Sequence, residues 1–367
     1  MSKTTDIAGS LSKIDQARIV ASVITKPSSR ATSIYVGESG YGAIFDILRP
    51  ASPQRRHITV NGTAHAALGS EDLEYLRIKG CFELPAESPE LLAAYFRFVH
   101  PVFPVLDGPS FSRDLADRGL GGMNLLLLWS MFSVSASYVP AYSGKEVKST
   151  FVRRGKALFD LGGENDKVVL VQSALLLGFW FEDAEDVKQS WYWSGIAFSM
   201  AQALGLHRGS TSRAHDLPGT GRDVWGVLWQ CCVLRDAWLS YSMGRPLRLD
   251  GAACSDTHLQ PADCGFRYTR PEGICVYSEN EAEGFESMWR ASVAAAHAVR
   301  QSLSSTPAQA YLLSTSLRNS LHSRQDTGTS VLLSLCSRHL LLCQNAALIA
   351  VCQVNGDEET AGAAADR

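Results

Sequence analysis

The 367-residue chain carries 34 Lys and Arg against 37 Asp and Glu, a formal net charge of −3, and 46% of its residues are hydrophobic. So much apolar content at so low a charge excludes a disordered polypeptide, and the near-neutral balance excludes attraction to nucleic acid by bulk electrostatics, leaving only a local basic patch for such contact. The opening MSKTTDIAGSLSKIDQ holds no apolar run of signal-peptide length, and Asp6 and Asp15 argue against a mitochondrial presequence.

In chain order, residues 1 to 70 read as a partly ordered leader broken by KPSSRATS, GESGYG and RPASPQRR. From Glu71 the pattern turns helical, and residues 71 to 355 form the expected domain, all-α and multi-helix. Ser88 and Pro89 begin a helix as N-cap and first-turn proline, Leu91, Leu92, Tyr95, Phe98 and Val99 form its apolar face, and Pro101 and Pro104 end it. Helices follow near 122–138, 145–160 and 167–181, the last apolar nearly all round and therefore central. The charge-free run Leu125–Val139 is interrupted by Ser130, Ser133, Ser135 and Ser137 and stopped by Pro140, which fits a buried helix better than a membrane span.

Between Val187 and Leu204, Trp193, Ile196, Ala197, Met200, Ala201 and Leu204 make one unbroken stripe, closed by Gly205. A second long helix, near 222–243, carries Trp225, Leu228, Trp229, Cys232 and Leu239 on one face. Asp236 projects at or beside that apolar stripe, where an ionised carboxylate is costly unless paired. Neighbouring Arg235 points about 100° away around the helix, so Arg245, Arg248 and Arg208 are the better partners. Gly244 and Pro246 then stop the helix, and Arg245 makes that terminator a charged one. Further helices are expected near 281–303, 306–322 and 329–353, followed by a frayed acidic tail, Gly356–Arg367.

Signatures of chemistry mostly fail: the chain has no H-E-x-x-H, no P-loop, no G-x-G-x-x-G and no G-x-S-x-G, which argues against an enzyme. Its nine cysteines include no C-x2-C pair, the spacing that structural zinc sites use, and Cys336 and Cys343 share one helical face as buried hydrophobes. The acidic group Glu182, Asp183, Glu185 and Asp186 reads as a solvated N-terminal turn rather than a cation site, and no histidine pair has ligand spacing. Trp191, Trp193, Trp225, Trp229 and Trp238 are numerous enough to line a ligand pocket, although helix–helix contact is the more economical reading of aromatics at helical spacing.

Three stretches carry a family resemblance. WYWSGIAFSMAQALGLHRG, Trp191–Gly209, resembles the helix ending in A-x-x-L-G-L-H-R of the fungal-specific transcription factor domain, the middle homology region of binuclear zinc cluster regulators. VWGVLWQCCVLRDAWLSYSMGRPLRL, Val224–Leu249, resembles its W-W…R-D…G-R-P segment, and EDLEYLRIKGCFELP with LLAAYFRFVHPVFPVLDGPSF is similar to the start of the domain in the cutinase transcription factor 1 beta subgroup. His207 and Arg208 match LGLHR, Arg235 and Asp236 match RD, and Gly244, Arg245 and Pro246 match GRP, with structural roles sufficient for all of them. The resemblance implies an all-helical regulatory domain in the nucleus, with the cytoplasm as second location. It carries over no catalytic residue, and zinc is expected only in full-length members. DNA would be contacted only through a missing or separate zinc cluster module. Co-regulators, a small-molecule effector and a second copy of the chain are the partners it allows, with no membrane. The alternative is a stand-alone ligand-sensing or protein-interaction module, and an enzyme with an unrecognised site ranks last.

Overall fold

The computed structural model describes residues 32–35, 57–60, 68–180, 187–208, 224–248, 277–303, 305–322 and 330–366. The chain divides into two compact units, the first comprising Met1–Phe96, Gly108–Gly205 and Glu272–Cys275, the second Arg97–Asp107, Leu206–Pro271 and Val276–Arg367. Both are built from helices. The one departure among the described residues is an antiparallel ribbon, β1 (Thr32–Tyr35) paired with β2 (His57–Val60), inside the stretch expected as a leader.

The first unit contains α1 (Ser70–Ile78), α2 (Ser88–Ala94) and α3 (Gly108–Arg118), followed by α4 (Leu125–Ser135), α5 (Lys145–Asp160), α6 (Lys167–Leu177) and α7 (Val187–Ala203). Asn124 starts α4 by accepting the Leu127 N–H at 3.0 Å, and Asp166 starts α6 by accepting the Val168 N–H at 2.9 Å. At 11 residues α4 is too short to cross a bilayer, and it lies buried along almost its whole length. Trp129 of α4 is fully buried, donates Nε1–H to the Cys81 carbonyl at 2.8 Å and carries the Arg154 guanidinium over its ring at 4.7 Å. Arg154 in turn donates to the Lys79 carbonyl at 3.1 Å, so one indole and one guanidinium fix the turn after α1. Gly80 sits in that turn at φ 69°, and a Cβ there would run into Arg154. Phe132 and Phe151 close on Trp129 to complete the aromatic interior.

The second unit contains α8 (Val224–Met243), α9 (Glu279–Ser302), α10 (Pro307–His322), α11 (Val331–Asn355) and α12 (Glu358–Ala365). Trp229, Trp289 and Phe285 are buried in it, and one cluster of its interior is built of small residues, Ala237, Ala295, Ala296, Ala298, Ala310, Ala347 and Ala350, with Val299, Leu348 and Val351 between them. Side chains of that size let helix axes approach to the short end of the usual packing range, about 8 Å. Helix α11 has the length and apolarity of a membrane span, but half of its most apolar window is buried among the other helices of the unit.

The acidic tail is a correction. Gly356 adopts φ 74°, Asp357 accepts the Thr360 N–H at 3.0 Å, and Arg318 pairs with Asp357 at 2.6 Å. These contacts start α12, which buries Ala364, so the stretch is an ordered helix instead of a frayed end.

Candidate functional site

Asp236 lies on α8 with no solvent exposure, and several features of the fold converge on its carboxylate. The first is the end of the helix. Gly244 takes φ 59°, its N–H donates to the Tyr241 carbonyl at 3.3 Å, and the Arg245 N–H donates to the Ser240 carbonyl at 2.9 Å. This six-to-one and five-to-two pattern is how a left-handed glycine closes a helix and turns the chain back. From Asp236 to Gly244 the helix rises about 12 Å, and the four residues that follow can retrace about 13 Å, enough to return Arg248 to the level of Asp236.

Arg248 then grips the carboxylate twice, its main-chain N–H donating to Oδ2 at 3.1 Å and its Nη1 donating to Oδ1 at 2.8 Å. A second cation comes from α9: Arg300 Nη1 lies 3.6 Å from Oδ2, and Arg300 is itself 5% exposed. Sequence reasoning named Arg248 among three candidates and missed Arg300 altogether. The available signal was a basic residue in the last turn of α9, favourable to the helix dipole, but nothing local joins it to a carboxylate sixty-four residues earlier.

The surrounding groups respond chiefly to burial. Burial first, and then the Asp236 carboxylate, push the Cys232 thiol well up, and Cys231 beside it is raised mainly by burial. Burial pulls Arg235 down to about 10, and burial followed by the Arg300 cation pulls His297 down to about 4. His297 is therefore neutral at physiological pH.

The remaining predicted residues fall around this centre or in the other unit. His207 lies on the single 3-10 turn Leu206–Arg208 with its ring 5.8 Å from that of Trp229, which is 2% exposed. The Arg208 side chain lies outside the described residues, so its place among the expected Asp236 partners is not assigned. Arg245 is half-buried and Pro246 exposed; the Asp236 contact belongs to the arginine two residues beyond the G-R-P motif. Trp238 packs on the alanine cluster and Trp225 is half-buried on α8. In the first unit Trp193 is 2% exposed and meets Phe159 edge-on at 5.1 Å, and Trp191 is half-buried. Trp193 and Trp229 thus each meet a ring of their own unit. The acidic group Glu182, Asp183, Glu185 and Asp186 lies outside the described residues, and among those described no three His, Cys, Asp or Glu converge as metal ligands.

What the arrangement can do chemically is hold α8, its return strap and α9 together through one desolvated carboxylate. The motif residues with described contacts act as helix stop, ring contact and salt clamp within an all-α domain. The family model described as the fungal specific transcription factor domain matches residues 92–339, more than half of the chain, and the chain belongs to that family.

Named relatives agree. Cutinase transcription factor 1 beta of Fusarium vanettenii is 35% identical over 196 residues, 50% of this chain and 22% of that protein. The acetamidase regulatory protein of Emericella nidulans is 37% identical over 175 residues, 45% of this chain and 21% of that protein. Cutinase transcription factor 1 alpha of Fusarium vanettenii is 34% identical over 193 residues, 50% of this chain and 21% of its length. The matched part thus spans about a fifth of each of these relatives. No solved structure matches the chain.

Proposed function

We propose that this chain works as the regulatory middle domain of a fungal transcription regulator in the nucleus, with DNA contact made through a zinc cluster module outside these 367 residues. The observation that carries the reading is the family match over residues 92–339, within which Gly244 of the GRP motif stops α8 and Asp236 of the RD motif is clamped by Arg248 and Arg300. Relatives named for two different target enzymes, cutinase and acetamidase, match at similar identity, so what is shared is the regulatory domain and not the target gene. Catalysis is no part of this reading: Asp236 faces arginines and not a reacting group.

Tethering the chain to a heterologous DNA-binding module in a fungal reporter strain tests it. Reporter output is expected to change several-fold against the module alone; unchanged output at equal protein level would remove the regulatory role. The purified chain is expected neither to hold stoichiometric zinc nor to shift a CGG-containing duplex, and tight zinc-dependent binding to such a duplex would contradict the assignment of DNA contact to another module.

A further inference from the structure

Helix α11 carries a seam that is covered over one half and bare over the other. Val331, Leu335, Arg338, Leu342, Asn345, Ile349 and Cys352 follow one another at alternating steps of four and three, the spacing that keeps a helix face turned to a helical partner. In the C-terminal half the fold covers this face: Asn345 is 4% and Cys352 1% exposed, and Ile349 packs against the alanine cluster. In the N-terminal half Val331 is 85%, Leu335 51% and Leu342 65% exposed, with Leu341 alongside at 41%.

The bare half is not a loose end. Ser330 caps α11 and donates to Glu281 Oε1 at 2.5 Å, and Glu281 also accepts from the Ser278 N–H and hydroxyl at 3.0 Å, which ties the first turn of α11 to the first turn of α9. The exposed leucines are therefore presented on an anchored helix.

Charge selects what fits there. Arg338, in the middle of the bare stripe, is exposed and has no ion pair among the described residues, and α11 contains no Asp or Glu. A second copy of α11 laid on this face would bring apolar side chains but no counter-charge for either arginine. We propose that the Val331–Leu342 face of α11 is a docking surface for an amphipathic helix of another protein that brings apolar residues at heptad spacing and a carboxylate opposite Arg338. The proposal stands on this face alone and is independent of the regulatory reading above. The stripe is three turns long, well below a standard interface, so the complex is a weak and reversible one, in the micromolar range.

The test uses the full chain and two fluorescein-labelled synthetic helices about three heptads long, leucines at a and d, one with Glu and one with Lys facing the position of Arg338. Fluorescence anisotropy is expected to show the Glu peptide binding about tenfold tighter than the Lys peptide. Leu335→Lys with Leu342→Lys should abolish binding of both, and Arg338→Glu should reverse the preference, with thermal melts unchanged because all three side chains are exposed. Equal binding of the two peptides, or none, overturns the proposal. Concentration-dependent dimerisation of the chain removed by the leucine pair would overturn it in favour of a second copy, and capture by phosphatidylcholine vesicles in place of peptide would overturn it in favour of a lipid surface.

Discussion

The two units bury different things. In the first, large rings form the interior and the Arg154 guanidinium is drawn over Trp129 to fasten a turn. In the second, alanines bring the helices close and a carboxylate with two arginines sits inside. A ring interior gains from area, at about 25 cal/mol per Å² removed from water. An interior holding a charge gains little net energy from the pair itself, yet loses heavily if one member goes. The first unit should therefore respond to volume and the second to charge balance.

The largest expected effect is Trp129→Ala, which empties the centre of the aromatic interior and strips the Cys81 carbonyl of its donor. A loss of about 4 kcal/mol in urea unfolding is expected, and a loss below about 1 kcal/mol would mean the rings are not what holds that unit. Next comes Asp236→Ala, expected to cost about 3 kcal/mol because Arg300 is left buried without its carboxylate. The contrast with the first unit sharpens in the triple variant Asp236→Leu, Arg248→Met, Arg300→Leu, which should recover most of that loss; if it is worse than Asp236→Ala, the charges contribute more than their mutual pairing.

Acid gives a third comparison. Burial, and for His297 also the Arg300 cation, lowers His297 from 6.5 to about 4, and burial alone lowers His100 from 6.5 to about 3. The unfolded chain takes up these protons first as pH falls, so the stability of the second unit is complete above about 6.5 and drains away between 6.5 and about 4. Urea midpoints across that window should fall in the wild type and fall less in His297→Gln; identical slopes would show that His297 does not titrate as its surroundings dictate. The smallest effect is Gly356→Ala, about 1 kcal/mol for forcing a Cβ into a left-handed position, read as loss of α12 docking in amide exchange.

Local signals were enough for much of this architecture. The α5 range, Lys145–Asp160, follows from periodicity alone, and the Gly244 stop follows from one residue type in one place. The ends of α4 and α6 fall several residues short of the apolar runs that suggest them, because 3-10 turns and a glycine take over where the apolar pattern continues. Helix α3 is absent from the sequence reading since Gly108 and Pro109 resemble loop residues, although Pro in a first turn is a helix signal. The tail deceived for a related reason: its charge suggested solvent, while Asp357 with Glu358 and Glu359 is the composition of a helix start. Half of the Asp236 clamp was legible because Arg248 is twelve residues away and follows a recognisable stop. Arg300 was not, since only the packing of α8 on α9 brings it near.

Glu281 joins two helix starts, accepting from Ser278 at the head of α9 and from Ser330, forty-nine residues further along the chain than Glu281, at the head of α11. Its own burial opposes the charge, but the Ser330 and Ser278 hydrogen bonds outweigh it and hold the carboxyl below the ordinary range. At α9 it satisfies a helix-start N–H, and at α11 it holds the hydroxyl that caps the helix. Fraying of either helix thus releases a bond the other was using. The opening turns of α9 and α11 behave as a single hinge pin, loosening together or not at all.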